Sequence, residues 1–197
     1  MKSSNSGYTL SCITCGTVND ERETTTYCTS CGSVLQIKYH EARPEIQYPL
    51  KEILPDPLKN HFTALRKLER LSERYKAELY GKLEFENPTG CFKDRGSYIE
   101  VQKAIELNAD AICLASTGNM AASVAAYACY FKIPCYVFVP EQTPEVKIAQ
   151  ATIYDANIIK IKGDFTVCEK LCRKFAASGN YYLAGDYVFR GEGQKSF

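Results

Sequence analysis

Strand-like and helix-like segments alternate along most of the chain after residue 79, and this alternation limits the possible fold more than any other feature. Short apolar runs alternate with longer segments whose apolar residues recur at helical spacing, a pattern typical of parallel sheets with crossover helices. The sequence therefore predicts an α/β domain with a parallel sheet. Its strands are predicted at 79–85, 111–114, 135–139, 157–161 and 181–184, and its helices at 97–107, 120–131, 143–154 and 164–177.

Helix ends and faces can be predicted at several points of this domain. Leu65, Leu68 and Leu71 recur at the spacing of a helix that precedes the first strand. Thr143 is expected to cap one helix, with a proline in its first turn, and Asp164 is expected to cap another. On that last helix the side chains expected to face inward are Cys168, Leu171, Cys172 and Phe175.

Two cysteine pairs near the N-terminus predict a metal site. They give the pattern C-x2-C-x12-C-x2-C, with a glycine after each pair. Two residues between cysteines let both thiolates face one ion, and four sulfurs fill the tetrahedral shell of a structural zinc ion. An iron site and two unrelated pairs are the alternatives. The predicted ligands are Cys12, Cys15, Cys28 and Cys31.

These patterns divide the chain into three parts. Residues 1–39 form the predicted zinc ribbon, whose last strand lies at 33–39. Residues 40–60 contain four prolines and little periodicity, which indicates an extended linker. Residues 61–197 form the α/β unit. Zinc ribbons can bind nucleic acids or partner proteins. Because no basic cluster accompanies these cysteines, a module that serves folding and docking is an equally good interpretation.

Charge and composition exclude several classes of partner. The chain has 24 basic and 23 acidic residues, so its formal charge of +1 offers no electrostatic basis for binding nucleic acid or an anionic membrane. No segment approaches the roughly 18 apolar residues of a membrane span, and a cytoplasmic location is expected. In that compartment five of the six cysteines outside the two pairs are expected to be small buried hydrophobes. These are Cys113, Cys129, Cys135, Cys168 and Cys172.

Lys93 is the candidate catalytic residue. It lies in the turn 86–96, whose sequence ENPTGCFKDRG brings one lysine to the start of a helix. An amine there can attack a carbonyl once partial burial and the positive helix terminus favour its neutral form. A solvated lysine is the alternative interpretation. Cys91, two residues earlier, either lines the same pocket or is structural.

The segment 116–119 links a predicted strand to a predicted helix, at the edge of the sheet where ligands collect. Free backbone amides at such a helix start favour an anion or a carboxylate. An ordinary helix cap is the alternative, since serine, threonine and asparagine all supply capping side chains.

Three motifs together resemble the threonine synthases, a family of fold type II pyridoxal-phosphate enzymes. They are PTGCFKDR at 88–95, STGN at 116–119 and FRGEGQK at 189–195, in the order and spacing of that family and with its zinc ribbon upstream. The resemblance covers residues 9–197. It implies a three-layer parallel-sheet domain of the tryptophan synthase β-like class, and conversion of O-phosphohomoserine and water to threonine and phosphate.

The same resemblance assigns roles to individual residues. Lys93 would form a Schiff base with the pyridoxal phosphate aldehyde, with Phe92 beside it, and would later move protons on the substrate. Asn119 would bond the ring hydroxyl of the cofactor. The substrate carboxylate would be held by Ser116, Thr117 and Gly118, and the substrate phosphate by Arg190 with Lys147.

Members of this family are longer, and their second half carries a glycine-rich loop for the cofactor phosphate. No two of the 12 glycines of this chain are adjacent. The resemblance therefore implies an N-terminal portion of such an enzyme, with little activity alone, and a homodimer in the full-length form. Cys91 and Met120 stand where the family usually has serine and threonine.

Two other functions remain open. A threonine or serine dehydratase of the same fold type would act on an unphosphorylated hydroxy amino acid, so Arg190 would have no substrate phosphate to bind. A non-catalytic zinc-ribbon binding protein would use the α/β unit only as a scaffold.

Overall fold

The computed structural model describes residues 7–40 and 63–194. The predicted linker therefore lies outside the described residues except for His40, as do the first six residues, positions 61–62 and positions 195–197. The limits of the three parts stay predictions. Within the described ranges, no helix is both long enough and apolar enough to cross a membrane.

A three-stranded antiparallel sheet forms the N-terminal ribbon. Strand β1 spans Tyr8–Cys12, β2 spans Val18–Asn19 and β3 spans Leu35–Tyr39, and their order in the sheet is β2-β1-β3. The last strand lies where the sequence predicts it. Gly16 and Gly32, which follow the cysteine pairs, have φ angles of 74° and 70°, as the tight turns there require.

Residues 64–86 form a small unit with an antiparallel two-stranded sheet of its own. Strand β4 spans Leu65–Lys67 and pairs with β5 at Tyr80–Lys82, and helix α1 spans Glu69–Tyr75 between them. A 3₁₀ turn follows at Glu84–Glu86. The predicted helix through Leu65 is wrong at its start, because Leu65 lies in β4, which pairs with β5. The strand predicted at 79–85 is shorter, since it ends at Lys82 before the 3₁₀ turn.

A four-stranded parallel sheet forms the centre of the α/β unit, as the sequence predicts. Its strands are β6 at Ala111–Ala115, β7 at Cys135–Pro140, β8 at Asn157–Ile161 and β9 at Tyr181–Leu183. The strand order is β8-β7-β6-β9. The helices are α2 at Lys93–Glu106, α3 at Asn119–Phe131, α4 at Glu145–Ile153, α5 at Phe165–Ala177 and α6 at Val188–Gln194.

The two faces of β6 show why helices cover the sheet on both sides. Successive side chains of a strand point to opposite faces. Ile112 and Leu114 pack on one face in a buried cluster with Val124 of α3. Cys113 packs on the other face with Cys168 of α5. All five residues are fully buried, so the arrangement is the predicted three-layer one.

The predicted helix caps have different outcomes. Asp164 caps α5, because its Oδ1 accepts a hydrogen bond from the Val167 amide at 3.0 Å. Thr143 does not cap α4. That helix begins after Pro144, with no capping bond from any described side chain.

Two residues predicted to be buried are exposed. Leu171 lies at the edge of the stripe that Cys168 and Cys172 form on α5, so its side chain is more than one-third exposed. Cys129 lies in the last turn of α3 and faces solvent. Buried positions are confirmed for Cys113, Cys135, Cys168 and Cys172.

The ribbon packs directly on the α/β unit. Leu10 and Leu35 of the ribbon share a buried cluster with Phe189 of α6. Lys103 of α2 lies beneath the ribbon, and its Nζ donates to the Tyr8 hydroxyl at 2.9 Å. Both apolar and polar contacts therefore join the ribbon to the helices α2 and α6.

Candidate active site and metal centre

The turn before Lys93 is held by the next residue, Asp94. The buried Asp94 carboxylate accepts hydrogen bonds from the Thr89 amide at 2.7 Å and the Thr89 hydroxyl at 2.5 Å. It also accepts from Ser123 Oγ at 2.6 Å, which ties the turn to α3. Lys93 is thereby fixed as the first residue of α2.

The next two motif residues fix α2 against its neighbours. Arg95 donates from Nε and Nη2 to the two carboxylate oxygens of Glu84 at 2.7 and 2.8 Å, and from Nη2 to Thr63 Oγ1 at 3.2 Å. This bidentate geometry is the strong form of a charge-assisted hydrogen bond. Gly96 allows α6 to approach, since a Cβ atom at that position would lie 2.7 Å from Arg190 Cγ.

A cleft of about 620 Å³ opens where β6 and β9 end. This position is the carboxyl edge of a parallel sheet, and the volume suits a small-molecule site. Four of the residues predicted from the sequence line it: Lys93, Ser116, Gly118 and Asn119. Further lining residues are Tyr27, Phe165, Glu169, Arg173, Asp186 and Tyr187.

The amine of Lys93 has one carboxylate partner among the described residues. Its Nζ lies 3.4 Å from Asp186 Oδ1 and 5.2 Å from the centre of the Phe92 ring. The Asp186 side chain is 75% exposed, and exposed ion pairs contribute little free energy. The amine is therefore held in the cleft by a contact that another ligand can replace.

The loop after β6 leaves the start of α3 open to a ligand. Asn119 is the first residue of this helix, and no described side chain caps it. The Gly118 amide donates to Ser116 Oγ at 3.4 Å, within the loop. The uncapped amides of α3 favour an anion at this point. Thr117 lies in the same loop but does not line the cleft.

The four paired cysteines bring their sulfurs together in the ribbon. All four Sγ atoms lie within 4.8 Å of one another, with Cys12 and Cys31 3.5 Å apart and Cys15 and Cys28 3.7 Å apart. Zinc–sulfur bonds of about 2.3 Å in a tetrahedron place sulfurs about 3.8 Å apart. The amides of Cys15 and Thr14 donate to Cys12 Sγ and lower the pKa of this thiol, which favours the thiolate that a metal requires.

Residues 58–196 match the family model described as pyridoxal-phosphate dependent enzyme. The chain belongs to this family. The matched region includes the Lys93 turn, the loop 116–119 and every strand of the parallel sheet.

Curated proteins that are similar to the chain include threonine synthases. The threonine synthase of Bacillus sp. (strain ULM1) is 42% identical over 151 residues, which cover 75% of this chain and 43% of the relative. The threonine synthase of Methanosarcina acetivorans is 33% identical over 208 residues, which cover 96% of this chain and 51% of the relative. The chain thus spans about half the length of these curated relatives.

Solved structures show the same fold. Maize serine racemase matches with a TM-score of 0.62 and 23% identity, over 68% of this chain and 41% of the racemase chain. The processed form of threonine deaminase isoform 2 from Solanum lycopersicum matches with a TM-score of 0.59 and 22% identity. The match covers 62% of this chain and 34% of the deaminase chain. The α/β unit therefore has the fold type II architecture expected from the sequence.

Two residues predicted to bind the substrate phosphate do not reach the cleft of this pyridoxal-phosphate dependent enzyme. Arg190 is fully buried, where its Nη2 donates to Ser97 Oγ at 3.1 Å and pairs with Glu100. Its Nη1 donates to the Lys93 carbonyl at 3.4 Å, so it lies behind the lysine. Lys147 is exposed on α4, away from the cleft lining. The phosphate role predicted for Arg190 does not fit this enclosed position.

Other cleft residues were missed by reasoning from the sequence. Asp186 and Tyr187 follow β9, and the rule that ligands collect beyond strand carboxyl ends could have identified them. Burial raises the pKa of Tyr187 to about 12, so its hydroxyl is neutral. Arg173 on α5 and Tyr27 of the ribbon carry no such signal, because only tertiary packing brings them to the cleft.

Proposed function

We propose that this chain carries the lysine-bearing part of a threonine synthase, which converts O-phosphohomoserine and water to threonine and phosphate. The observation that carries the proposal is that the Lys93 amine opens into the same cleft as the loop 116–119. The relatives that support it are named threonine synthases and are 33% to 44% identical to the chain.

The residues of the cleft fit pyridoxal phosphate. This cofactor is anchored in its enzymes by a lysine, and Lys93 is the one lysine among the described residues that line the cleft. Among the described residues its amine forms one ion pair, with the exposed Asp186, a contact that bond formation can replace. The uncapped start of α3 suits an anionic group, and the volume of about 620 Å³ suits a cofactor with a small amino acid.

The lysine and the loop 116–119 then have separate tasks. When bound, pyridoxal phosphate supplies an electron sink for the charge that develops at the substrate α-carbon. Lys93 Nζ anchors the aldehyde and, once released, is placed to take and return protons at the α- and β-carbons. Asn119 orients the cofactor ring. Ser116 and the amide of Gly118, with Thr117 in the same loop, bind the substrate carboxylate.

We assign the four-cysteine cluster of the ribbon to a structural zinc ion. All four ligands come from the protein, so no coordination position remains for water or substrate. Cys12 and Cys28 share a buried cluster with Phe189 of α6, so metal binding would also stabilise the docked ribbon. A cytoplasmic location and a homodimer in the longer form of the enzyme stay predictions.

One observation favours a second candidate function, dehydration of threonine or serine. The enclosure of Arg190 removes the phosphate contact that was expected to distinguish the two reactions. A dehydratase needs no such contact, because its substrate carries no phosphate.

Comparison of three ligands separates the two functions. Protein loaded with pyridoxal phosphate is titrated in a calorimeter with O-phosphohomoserine, homoserine and threonine, and products are identified by mass spectrometry. A threonine synthase binds O-phosphohomoserine more tightly than homoserine, and any product consists of threonine and phosphate. Formation of 2-oxobutyrate from threonine, with no binding of O-phosphohomoserine, would establish the dehydratase and reject the synthase.

A further inference from the structure

Arg173 lies on the cleft wall, where its guanidinium packs against two tyrosine rings. Its guanidinium carbon is 5.3 Å from the ring centre of Tyr27 and 5.7 Å from that of Tyr187. The two rings meet edge to face with their centres 5.5 Å apart. Cation–π contacts of this kind hold a guanidinium in place without using its N–H donors. The ribbon, α5 and the segment after β9 together fix the position of this cation.

Part of the Arg173 guanidinium is free to bind a ligand. Its Nη2 donates to Glu169 Oε1 at 2.6 Å and to the Tyr27 hydroxyl at 3.5 Å. Within residues 7–40 and 63–194, no hydrogen bond uses its Nε or Nη1. The side chain is one-third exposed, and a guanidinium presents its N–H groups in the planar fork that binds phosphate oxygens.

The charges of the cleft single out the same residue. Lys93 and Arg173 are the basic residues among its described lining, and Glu169 and Asp186 are the acidic ones. Lys93 is the residue that the proposed function assigns to covalent attachment of the cofactor. Arg173 is then the cation that remains for an anionic ligand.

We propose that Arg173, positioned by Tyr27 and Tyr187, is the residue of the cleft that binds a phosphate monoester. Arg190 is enclosed by Ser97 and Glu100 and does not line the cleft, so its position leaves this role open. Which phosphate Arg173 meets rests on the proposed function, because both O-phosphohomoserine and pyridoxal phosphate carry one. Glu169 competes for the same guanidinium and weakens this binding.

Two substitutions on α5 test the proposal against a matched control. Arg173→Gln removes the charge, and Glu169→Gln removes the competing carboxylate. Lys174→Gln removes a positive charge from the next residue, which is exposed and does not line the cleft. Affinities are measured for two pairs of probes that differ only in the phosphate: O-phosphohomoserine against homoserine, and pyridoxal phosphate against pyridoxal.

The expected results have opposite signs for the two test variants. Arg173→Gln should weaken binding of one phosphate-bearing probe about tenfold and leave its phosphate-free counterpart unchanged. Glu169→Gln should tighten the same probe about threefold, a gain that misfolding cannot produce. Lys174→Gln should change neither. A loss confined to O-phosphohomoserine assigns the substrate phosphate, and a loss confined to pyridoxal phosphate assigns the cofactor phosphate.

The proposal can fail independently of the proposed function. If Arg173→Gln binds both phosphate-bearing probes like the unmodified protein, Arg173 is not the phosphate residue, even where Lys93 is labelled by the cofactor and threonine is formed. Suppose instead that Arg173→Gln weakens binding of a phosphate-bearing probe, but pyridoxal phosphate does not become attached to Lys93. The anion site then stands and the proposed function is rejected.

Discussion

Arg190 and Glu100 form an ion pair in which neither side chain has exposed surface. Burial raises the pKa of Glu100, whereas the positive charge of Arg190 acts in the opposite direction. The Gly185 amide donates to the other oxygen of Glu100 at 2.9 Å. Because Arg190 also donates to the Lys93 carbonyl, the pair joins α6 to the turn of α2 that carries the lysine.

Breaking this pair should destabilise the protein strongly. Arg190→Ala leaves the Glu100 carboxylate buried without its partner, which is expected to lower the free energy of unfolding by about 3–5 kcal/mol. Replacing both residues by methionine should cost less than either single change, because no buried charge remains. Urea unfolding measures both effects, with the exposed Lys147→Ala as control. Equal stabilities of Arg190→Ala and the control would show that the pair is not structural.

The ion pair between Glu84 and Arg95 should make stability depend on pH in the acidic range. The hydrogen bonds from Arg95 lower the pKa of Glu84 from 4.5 to about 2. Since the folded-state pKa is depressed, this stabilisation is complete above the unfolded pKa and is lost as the pH falls from 4.5 toward 2. Glu84→Gln is therefore expected to cost about 2 kcal/mol at neutral pH and very little near the lower limit.

The measurement is urea unfolding of both proteins across that pH range. Glu78→Gln serves as control, because Glu78 pairs with Lys67 on the surface and its side chain is 74% exposed. If the difference in the free energy of unfolding between Glu84→Gln and the unmodified protein stays constant down to low pH, the ion pair is not its origin.

Asp94→Asn should loosen the turn that presents Lys93. An amide cannot accept all the bonds that the carboxylate accepts from Thr89 and Ser123. A buried donor left without a partner costs about 1–3 kcal/mol, and the free energy of unfolding should fall by that amount. Labelling of Lys93 by pyridoxal phosphate should also become slower. Asp110→Asn, at an exposed position, should change neither quantity.

The ribbon should bind zinc in a ratio of one ion per chain, and its fold should depend on that ion. Cys12→Ser removes one of four ligands, so zinc measured by elemental analysis should be lost and the ribbon should unfold. Cys129→Ser changes an exposed cysteine outside the cluster and should keep the metal. The assignment fails if the two variants retain equal amounts of zinc.

The sequence predicts the parallel sheet well because its strands alternate with periodic helices of 9 to 14 residues. Prediction fails for the unit at residues 64–86, whose two short strands pair with each other. Leu65, Leu68 and Leu71 have helical spacing, yet Leu65 lies in a three-residue strand that exists only because β5 pairs with it. Pairing with a distant segment is not visible in local periodicity.

In the candidate site, too, local motifs are predicted from the sequence and contacts with distant segments are not. Lys93, Ser116, Gly118 and Asn119 lie in local motifs at the ends of elements, and the structure brings these four to one cleft. Arg190 also lies in a motif, but its environment is set by Glu100, which is 90 residues earlier in the chain. No local pattern indicates that such a partner encloses the guanidinium.

The central claim is that Lys93 anchors pyridoxal phosphate, and borohydride trapping tests it most directly. The protein is incubated with pyridoxal phosphate, reduced with borohydride, digested and mapped by mass spectrometry. We predict a phosphopyridoxyl group on the peptide that contains Lys93, absent in Lys93→Ala and retained in Lys162→Ala, which alters an exposed lysine. Label spread evenly over the surface lysines, or unchanged in Lys93→Ala, would contradict the claim.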